Sequence, residues 1–417
     1  TSGTTGVPKG VELSHENLTS NVIAAFTGLT TFRRGDAEVV LSFLPLTHIF
    51  ARTLQYGVMW YGSSVYFGDP ASVGEDLRAL RPTFFATVPR VLEKAFDRIV
   101  AAGAALGGVR GRLFAWAMAL ARAYDVERPP SGAAALAHSL ADRLVYARWR
   151  EALGGRVHTV IVGGAALRSE LATVFKAGGI DVLQGYGLTE TSPVIAFNRP
   201  DRNRPGTVGL PLAGTEVGLT DDGEVLARGP HVMKGYFRRE ALSAEAIAAD
   251  GWFHTGDLGA LDDDGYLRIT GRIKHLFKLS TGKFVMPQPV EERLAASPLV
   301  DTALVVGEGE RFCAALLFVA RPELAAELAE AVTADALARP TVQGRYRDLV
   351  AAANRDMPHW SSVKRFALIL DELTMESGAV TPKLSVRREL VLDDYQAVVE
   401  ALYRDAQPPR GVSVVEV

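Results

Sequence analysis

Short apolar runs alternate with amphipathic stretches through the first two hundred positions. Val39–Leu44, Ser64–Phe67, Phe84–Val88, Val157–Val162 and Asp181–Gln184 are strand-length and rich in β-branched and aromatic residues. Between them lie segments with apolar residues at helical spacing, of which Val91–Ala102 is one. Strands that alternate with helices predict an α/β sheet with crossover helices. From Ala101 to Arg150 the chain is rich in Ala, Arg and Leu at helical spacing and is interrupted by Pro129-Pro130, which predicts a helical excursion. After Gly206 the pattern becomes β-like. Thr215–Leu219, Gly223–Arg228 and Tyr266–Ile269 are joined by Asp/Gly turns such as Asp221-Asp222-Gly223 and Asp263-Asp264-Gly265. Beyond Gly271 come strand-like runs at Thr302–Gly307 and Ala314–Val319, then long Ala/Glu/Leu helices. The expected architecture is a large N-terminal domain (1–271) of mixed sheets with crossover helices. It carries a β subdomain (about 206–271) and is followed by a small, mobile α+β C-terminal domain (272–417).

Composition narrows the function classes. The chain has 417 residues, 48% of them hydrophobic and 22% charged, which is ordinary for a globular protein with a sizeable core. A net charge of -3 gives no basic field for nucleic acid. The one cysteine, Cys313, leaves no internal disulfide framework and fits a reducing cytosol. No run reaches the roughly 20 apolar residues needed to span a bilayer; the most apolar helical stretch, Leu113–Ala121, stops at Arg122 and reads as core. No basic amphipathic helix is evident for a membrane surface. The chain opens on Thr1 directly in a glycine-rich loop that normally follows a buried strand. This sets the expectation that the natural protein continues upstream and that the chain alone folds poorly.

That loop, Thr1-Ser2-Gly3-Thr4-Thr5-Gly6-Val7-Pro8-Lys9-Gly10, is the strongest chemical signal. Its glycines allow close backbone approach, successive amides can point at phosphate oxygens, hydroxyls add donors and Lys9 adds positive charge. It lacks the Gly-Lys-Ser/Thr triplet of a Walker A loop. Further along, Glu190 is a carboxylate among hydroxyls in a Gly-flanked segment, a suitable Mg²⁺ ligand beside phosphates; taken alone it reads as a solvated loop charge. Asp257 can accept two hydroxyls or merely cap a turn. Arg272 offers a planar fork or a surface ion pair. Tyr186 can stack on a base or sit in the core. His48, in an apolar run, reads by itself as a satisfied core histidine.

The order of motifs resembles the adenylate-forming superfamily of acyl-CoA synthetases, luciferases and nonribosomal adenylation domains. The first loop is similar to the family's phosphate loop. Leu44-Pro45-Leu46-Thr47-His48-Ile49-Phe50-Ala51-Arg52 follows, then Gly163-Gly164-Ala165 at the adenine. Gly185-Tyr186-Gly187-Leu188-Thr189-Glu190-Thr191 carries the magnesium-linked glutamate, Trp252-Phe253-His254-Thr255-Gly256-Asp257 the ribose aspartate, and Gly271-Arg272-Ile273-Lys274 the hinge. The His48 segment and the helical excursion resemble the long-chain fatty acyl-CoA synthetase branch. The resemblance implies ATP, Mg²⁺ and coenzyme A. It places Thr1, Ser2, Gly3, Thr4, Thr5, Gly6, Lys9, Gly164, Ala165, Gly185, Tyr186, Gly187, Asp257, Arg272 and Lys274 on the nucleotide, Thr4 and Glu190 at the metal, and Glu190, Thr189 and His48 at the chemistry. It further implies a cytoplasmic enzyme, with peripheral membrane contact allowed. Leu279-Ser280-Thr281-Gly282-Lys283 is then the loop brought to the thioester site by rotation of the C-terminal domain, or an ordinary hairpin turn. Two departures stand out. His275 occupies a position where the family commonly has an acid. In Thr381-Pro382-Lys383-Leu384-Ser385, Ser385 stands at the position of the adenylating lysine. In a strand, residues two apart share a face, so Lys383, two residues earlier, is the expected substitute. The alternatives are a carrier-protein-loading acyl-AMP ligase and a catalytically impaired nucleotide-binding relative.

Overall fold

The computed structural model describes residues 9–381, 386–404, 409 and 411–417. They form two compact units. One runs to Thr255 and includes Gly259–Ile269; the other comprises Gly256–Leu258 and Thr270–Val417.

In the first unit β1 (Val11–Glu12) leads into α1 (His15–Thr27). There follow β2 (Val39–Ser42), α2 (Ile49–Tyr61), β3 (Ser64–Phe67), α3 (Val73–Leu80), β4 (Phe84–Thr87), α4 (Pro89–Ala104), α5 (Gly108–Arg122), α6 (Gly132–Ala141), α7 (Ala147–Ala152), β5 (Thr159–Val162), α8 (Ser169–Ala177), β6 (Asp181–Gly187), β7 (Val194–Phe197) and β8 (Leu210–Pro211). A π-helical turn, Asp142–Tyr146, joins α6 to α7. The main sheet has the order β3-β2-β4-β5-β6-β7-β8. It is parallel from β3 to β6 and antiparallel beyond. All four residues of β4, and all four of β5, are buried, as expected for parallel strands covered on both faces. Ser14 caps α1 by accepting from the Asn17 amide at 3.1 Å, and Asn17 reciprocates at 2.7 Å. α2 ends at Gly62 with φ 71°.

The expected strands are all present, with informative differences at their ends. The first stops at Ser42, before Pro45. The last runs on to Gly187, because Gly185, Tyr186 and Gly187 find antiparallel partners in Phe197, Ala196 and Val194. The β-rich region after Gly206 forms a four-stranded sheet in the order Leu267–Arg272, Phe253–Leu261, Glu224–Arg228, Glu216–Leu219.

The second unit is built on a sheet of Val300–Val306, Cys313–Val319, Val363–Ile369 and Val412–Glu416, in that order. Helices cover both faces, Gln288–Ala295 and Pro340–Ala353 on one, Arg388–Asp394 and Gln396–Tyr403 on the other. The long helices expected after Val319 are shorter pieces, Arg321–Leu328, Ala334–Leu337 and Pro340–Ala353. The chain breaks at Ala329 (φ 55°) and restarts at the Thr333 cap. Among the described residues no helix is long and apolar enough to cross a membrane.

Candidate functional site

The sheet reverses its winding between β2 and β4, since the chain leaves β2 toward β3 and returns past β2 to β4. In open α/β sheets, ligands bind beyond the carboxyl ends of the strands at such a point. The predicted residues of the first unit collect at those ends. His48 follows β2 as the N-cap of α2, with φ -90° and ψ 135°, beside a helix end whose first amides favour negative charge. Gly163, Gly164 and Ala165 follow β5, and Gly164 has φ +84°, a conformation that costs an L side chain strain. Gly185, Tyr186 and Gly187 close β6. A Cβ on Gly187 would lie 1.7 Å from the Pro193 carbonyl oxygen, so only glycine fits the turn. Tyr186 is half-buried against Ala196, Val208, Val225 and Leu267, so part of its ring serves the core. A narrow apolar crevice of about 20 Å³ lies between α2, β2 and β4 and is lined by Leu41, Phe43, Ala51, Leu54, Val58 and Phe84 among others.

Thr189 and Glu190 sit on a single 3₁₀ turn, Thr189–Thr191. Thr191 pins it by accepting from the Leu188 amide at 3.0 Å and donating to the Pro193 carbonyl at 2.6 Å. Glu190 is 7% exposed, and its Oε1 accepts from the Tyr236 hydroxyl at 3.0 Å. Lys9 Nζ lies 4.8 Å from the centre of the same Tyr236 ring. One aromatic side chain therefore touches both the cation at the end of the glycine-rich loop and the buried carboxylate. Tyr236 is brought there by pairing: Val11 faces Tyr236 and Glu12 faces Gly235 in an antiparallel ladder, and the Phe237 amide donates to the Gly10 carbonyl at 2.9 Å. Burial and the Glu190 carboxylate push the Tyr236 hydroxyl pKa up, so it stays a donor. Sequence reading missed Tyr236. The only signal was an aromatic in the short run Met233-Lys234-Gly235-Tyr236, with nothing to show that it pairs with Val11.

Nearby, Asn17 Nδ2 donates to the Pro230 and Val232 carbonyls at 2.6 and 2.8 Å. Between these, His231 is 2% exposed. Its Nδ1 stands 3.4 Å from Thr215 Oγ1, and its Nε2 has no partner among the described residues. Burial pushes its pKa down to about 4, so the ring is neutral at neutral pH.

In the second unit Asp257 is 4% exposed and accepts from Arg272 Nε at 2.6 Å. The ribose candidate and the hinge arginine therefore hold each other. Lys274 is exposed on the 3₁₀ turn Ile273–His275. His275 is half-buried, and its pKa is pushed down to about 4 by burial and by the cations Arg388 and Arg272, against the pull of Asp257. Where an acid is common, this chain thus presents a neutral imidazole. Arg388 is bound to Glu291 and to the Val305 carbonyl. Residues 279–283 form the tip of a hairpin between Phe277–Lys278 and Phe284–Val285, with Gly282 at φ +83°. Thr1, Ser2, Gly3, Thr4, Thr5, Gly6, Lys383 and Ser385 lie outside the described residues.

A family model described as AMP-binding enzyme matches residues 1–237, and one described as AMP-binding enzyme C-terminal domain matches residues 275–407. The chain is 36% identical over 413 residues to the long-chain-fatty-acid–CoA ligase FadD15 of Mycobacterium bovis, covering 97% of this chain and 68% of that protein. It is 31% identical over 431 residues to the peroxisomal long chain acyl-CoA synthetase 6 of Arabidopsis thaliana, covering 97% and 60%. Among solved structures, the adenylation domain of a carboxylate reductase from Mycobacterium chelonae superposes with a TM-score of 0.73 at 25% identity, covering 97% of this chain and 59% of that one. The o-succinylbenzoate coenzyme A synthetase of Bacillus subtilis, in complex with ATP and magnesium ion, gives 0.64 at 22% identity, covering 93% and 68%.

Proposed function

The chain belongs to the AMP-binding enzyme family of adenylate-forming ligases, and from that premise we propose that it joins a long-chain fatty acid to AMP from ATP and then passes the acyl group to coenzyme A. The observation that carries the nucleotide half is the meeting of Lys9 and buried Glu190 on Tyr236, beyond the carboxyl ends of the parallel strands. The acyl half is supported by relatives named for long-chain fatty acids.

In the first step the fatty carboxylate attacks the α-phosphorus and pyrophosphate leaves. Two anions must be brought together, so positive charge has to be in place beforehand. Lys9 and the amides of the glycine-rich loop supply it, and the amino end of α2 beside His48 receives the carboxylate. Glu190 suits Mg²⁺, which takes few carboxylates and keeps phosphate oxygens and water as its other ligands: one of its oxygens is committed to Tyr236 and hydroxyls flank it. When bound, the ion neutralises phosphate charge. Asp257, oriented by Arg272, accepts the ribose hydroxyls. Gly164, Ala165 and Gly185–Gly187 are assigned to the nucleotide. Lys383 is assigned the role of the lysine that Ser385 replaces, and Lys274 that of the hinge residue between an N-terminal domain ending at Gly271 and a lid beginning at Arg272. In the second step the thiol sulfur attacks the acyl carbonyl and AMP leaves.

The test is ATP–pyrophosphate exchange with palmitate, followed by thioester formation with free coenzyme A. Exchange that depends on palmitate, with thioester product, supports the reading. Exchange without thioester points to a carrier-protein acceptor, and ATP binding without exchange to an impaired relative. Wild-type exchange in Lys383→Ala removes that lysine from the mechanism.

A further inference from the structure

Two buried residues of α1 are polar, and both are spent on the segments that hold Glu190. Asn17 and Asn21 lie four positions apart, so they share one face of the helix, and they are 8% and 1% exposed. Asparagine is not a good helix former, and the other buried residues of α1 are Val22 and Phe26. A buried amide needs partners, and here each has a full set. Asn17 Oδ1 accepts from the Ser14 amide, and its Nδ2 donates to the Pro230 and Val232 carbonyls at 2.6 and 2.8 Å. Asn21 Nδ2 donates to the Val194 carbonyl at 2.7 Å and to the Thr191 carbonyl at 3.4 Å, and its Oδ1 accepts from the Val194 amide at 3.2 Å.

Both sets of partners lead to the carboxylate. The segment held by Asn17 continues to Met233, whose amide donates to the Glu190 carbonyl at 2.8 Å, and to Tyr236, whose hydroxyl donates to Glu190 Oε1 at 3.0 Å. The segment held by Asn21 is the continuation of the Glu190 turn itself. Within it Ser192 has φ 66°, a left-handed conformation that a serine keeps only where its surroundings impose it. Asn21 fixes Thr191 and Val194 around it, and Thr53 Oγ1 of α2 donates to its carbonyl at 3.1 Å. The Ser14 cap of α1 follows Lys9 by only five positions. One helix therefore runs from the cation at the end of the glycine-rich loop to both supports of Glu190.

We propose that Asn17 and Asn21 are positioning residues that set the spacing between Lys9 and Glu190, and through it the seat of the ATP phosphates and their magnesium ion. The inference rests on Lys9 and Glu190 being the groups that hold them. Both asparagines are buried and bonded to main chain, so they act through the segments they clamp and not on the substrate. Misplacement by about 1 Å at a reacting centre can cost about a hundredfold in rate, which is the scale on which such clamps matter.

The experiment compares Asn17→Asp and Asn21→Ala with the wild-type 417-residue chain. Asn17→Asp keeps an acceptor for the Ser14 amide and puts negative charge in the first turn of α1, which favours the helix, while both donors to the Pro230 and Val232 carbonyls are lost. Asn17→Ala, which removes the donors without adding charge, takes its place if circular dichroism shows the aspartate variant unfolded. Calorimetric titration with MgATP needs no turnover, and Kd should rise about fivefold or more in each variant. In ATP–pyrophosphate exchange KM for MgATP should rise likewise and kcat fall about tenfold to a hundredfold, with KM for palmitate constant within about twofold. Loss of folded protein alone lowers apparent kcat and moves neither KM, so this split separates positioning from stability. In the Asn17→Asp background Tyr236→Phe should cost less than about threefold in kcat, because the segment that carries Tyr236 is already released. Wild-type Kd for MgATP in both folded variants, or full additivity with Tyr236→Phe, overturns the proposal. A wild type that binds MgATP without exchange overturns the fatty-acid reaction and leaves the Kd comparison to decide the role of the asparagines; a wild type that binds no MgATP overturns both.

Discussion

Replacing Tyr236 by Phe removes one oxygen and leaves the ring. The hydroxyl donates to Glu190 Oε1 at 3.0 Å, and Glu190 is 7% exposed, so water can replace the lost donor only in part. A hydrogen bond to a charged group contributes about 1.5–3 kcal/mol. The Lys9 contact depends on the ring face, 4.8 Å away, and survives in Phe. The expected loss is therefore the hydrogen-bond term alone, read as a fall of about 1.5–3 kcal/mol in urea unfolding free energy. A double-mutant cycle with Glu190→Ala isolates the pair. Its coupling energy should equal the single Tyr236→Phe loss, since without the carboxylate the hydroxyl has nothing there to stabilise. In ATP–pyrophosphate exchange, the same positional loosening of Glu190 should lower the rate by about tenfold to a hundredfold. A coupling below about 0.5 kcal/mol, within the error of such cycles, would refute the claim that Tyr236 holds Glu190 in place.

Other outcomes follow from the same geometry. His231 has a folded pKa near 4 against about 6.5 unfolded, so the unfolded state binds the extra proton. Stability from this group is complete above about pH 6.5, declines as pH falls, and is lost near pH 4, by about 3 kcal/mol in all; His231→Gln should flatten that part of a urea-midpoint profile. Gly187→Ala places a methyl against the Pro193 carbonyl and should abolish exchange while lowering the melting temperature by several degrees. Asp257→Asn weakens the 2.6 Å pair with Arg272 and should raise KM for ATP about tenfold with a smaller change in kcat, measured by initial rates of exchange.

Much of this was legible along the chain. Element types, the positions of the strands and the Gly-rich site segments follow from periodicity and from conformations only glycine adopts, because these are encoded within a few residues of where they act. Gly187 is one such case: its turn needs a missing side chain, whatever the rest of the fold does. Glu190, Asp257 and Arg272 were singled out by the order of motifs, since local pattern alone reads them as a loop charge, a turn cap and a surface ion pair. What pattern left open was their partners. That Tyr236 joins Lys9 to Glu190 depends on Val11 pairing with Tyr236 across more than two hundred positions. That Arg272 spends its Nε–H on Asp257 and that His275 is neutral because cations and burial surround it are likewise products of packing. A residue's own type sets which interactions it can make; register and burial, decided by the whole sheet and its covering helices, set which ones it does make.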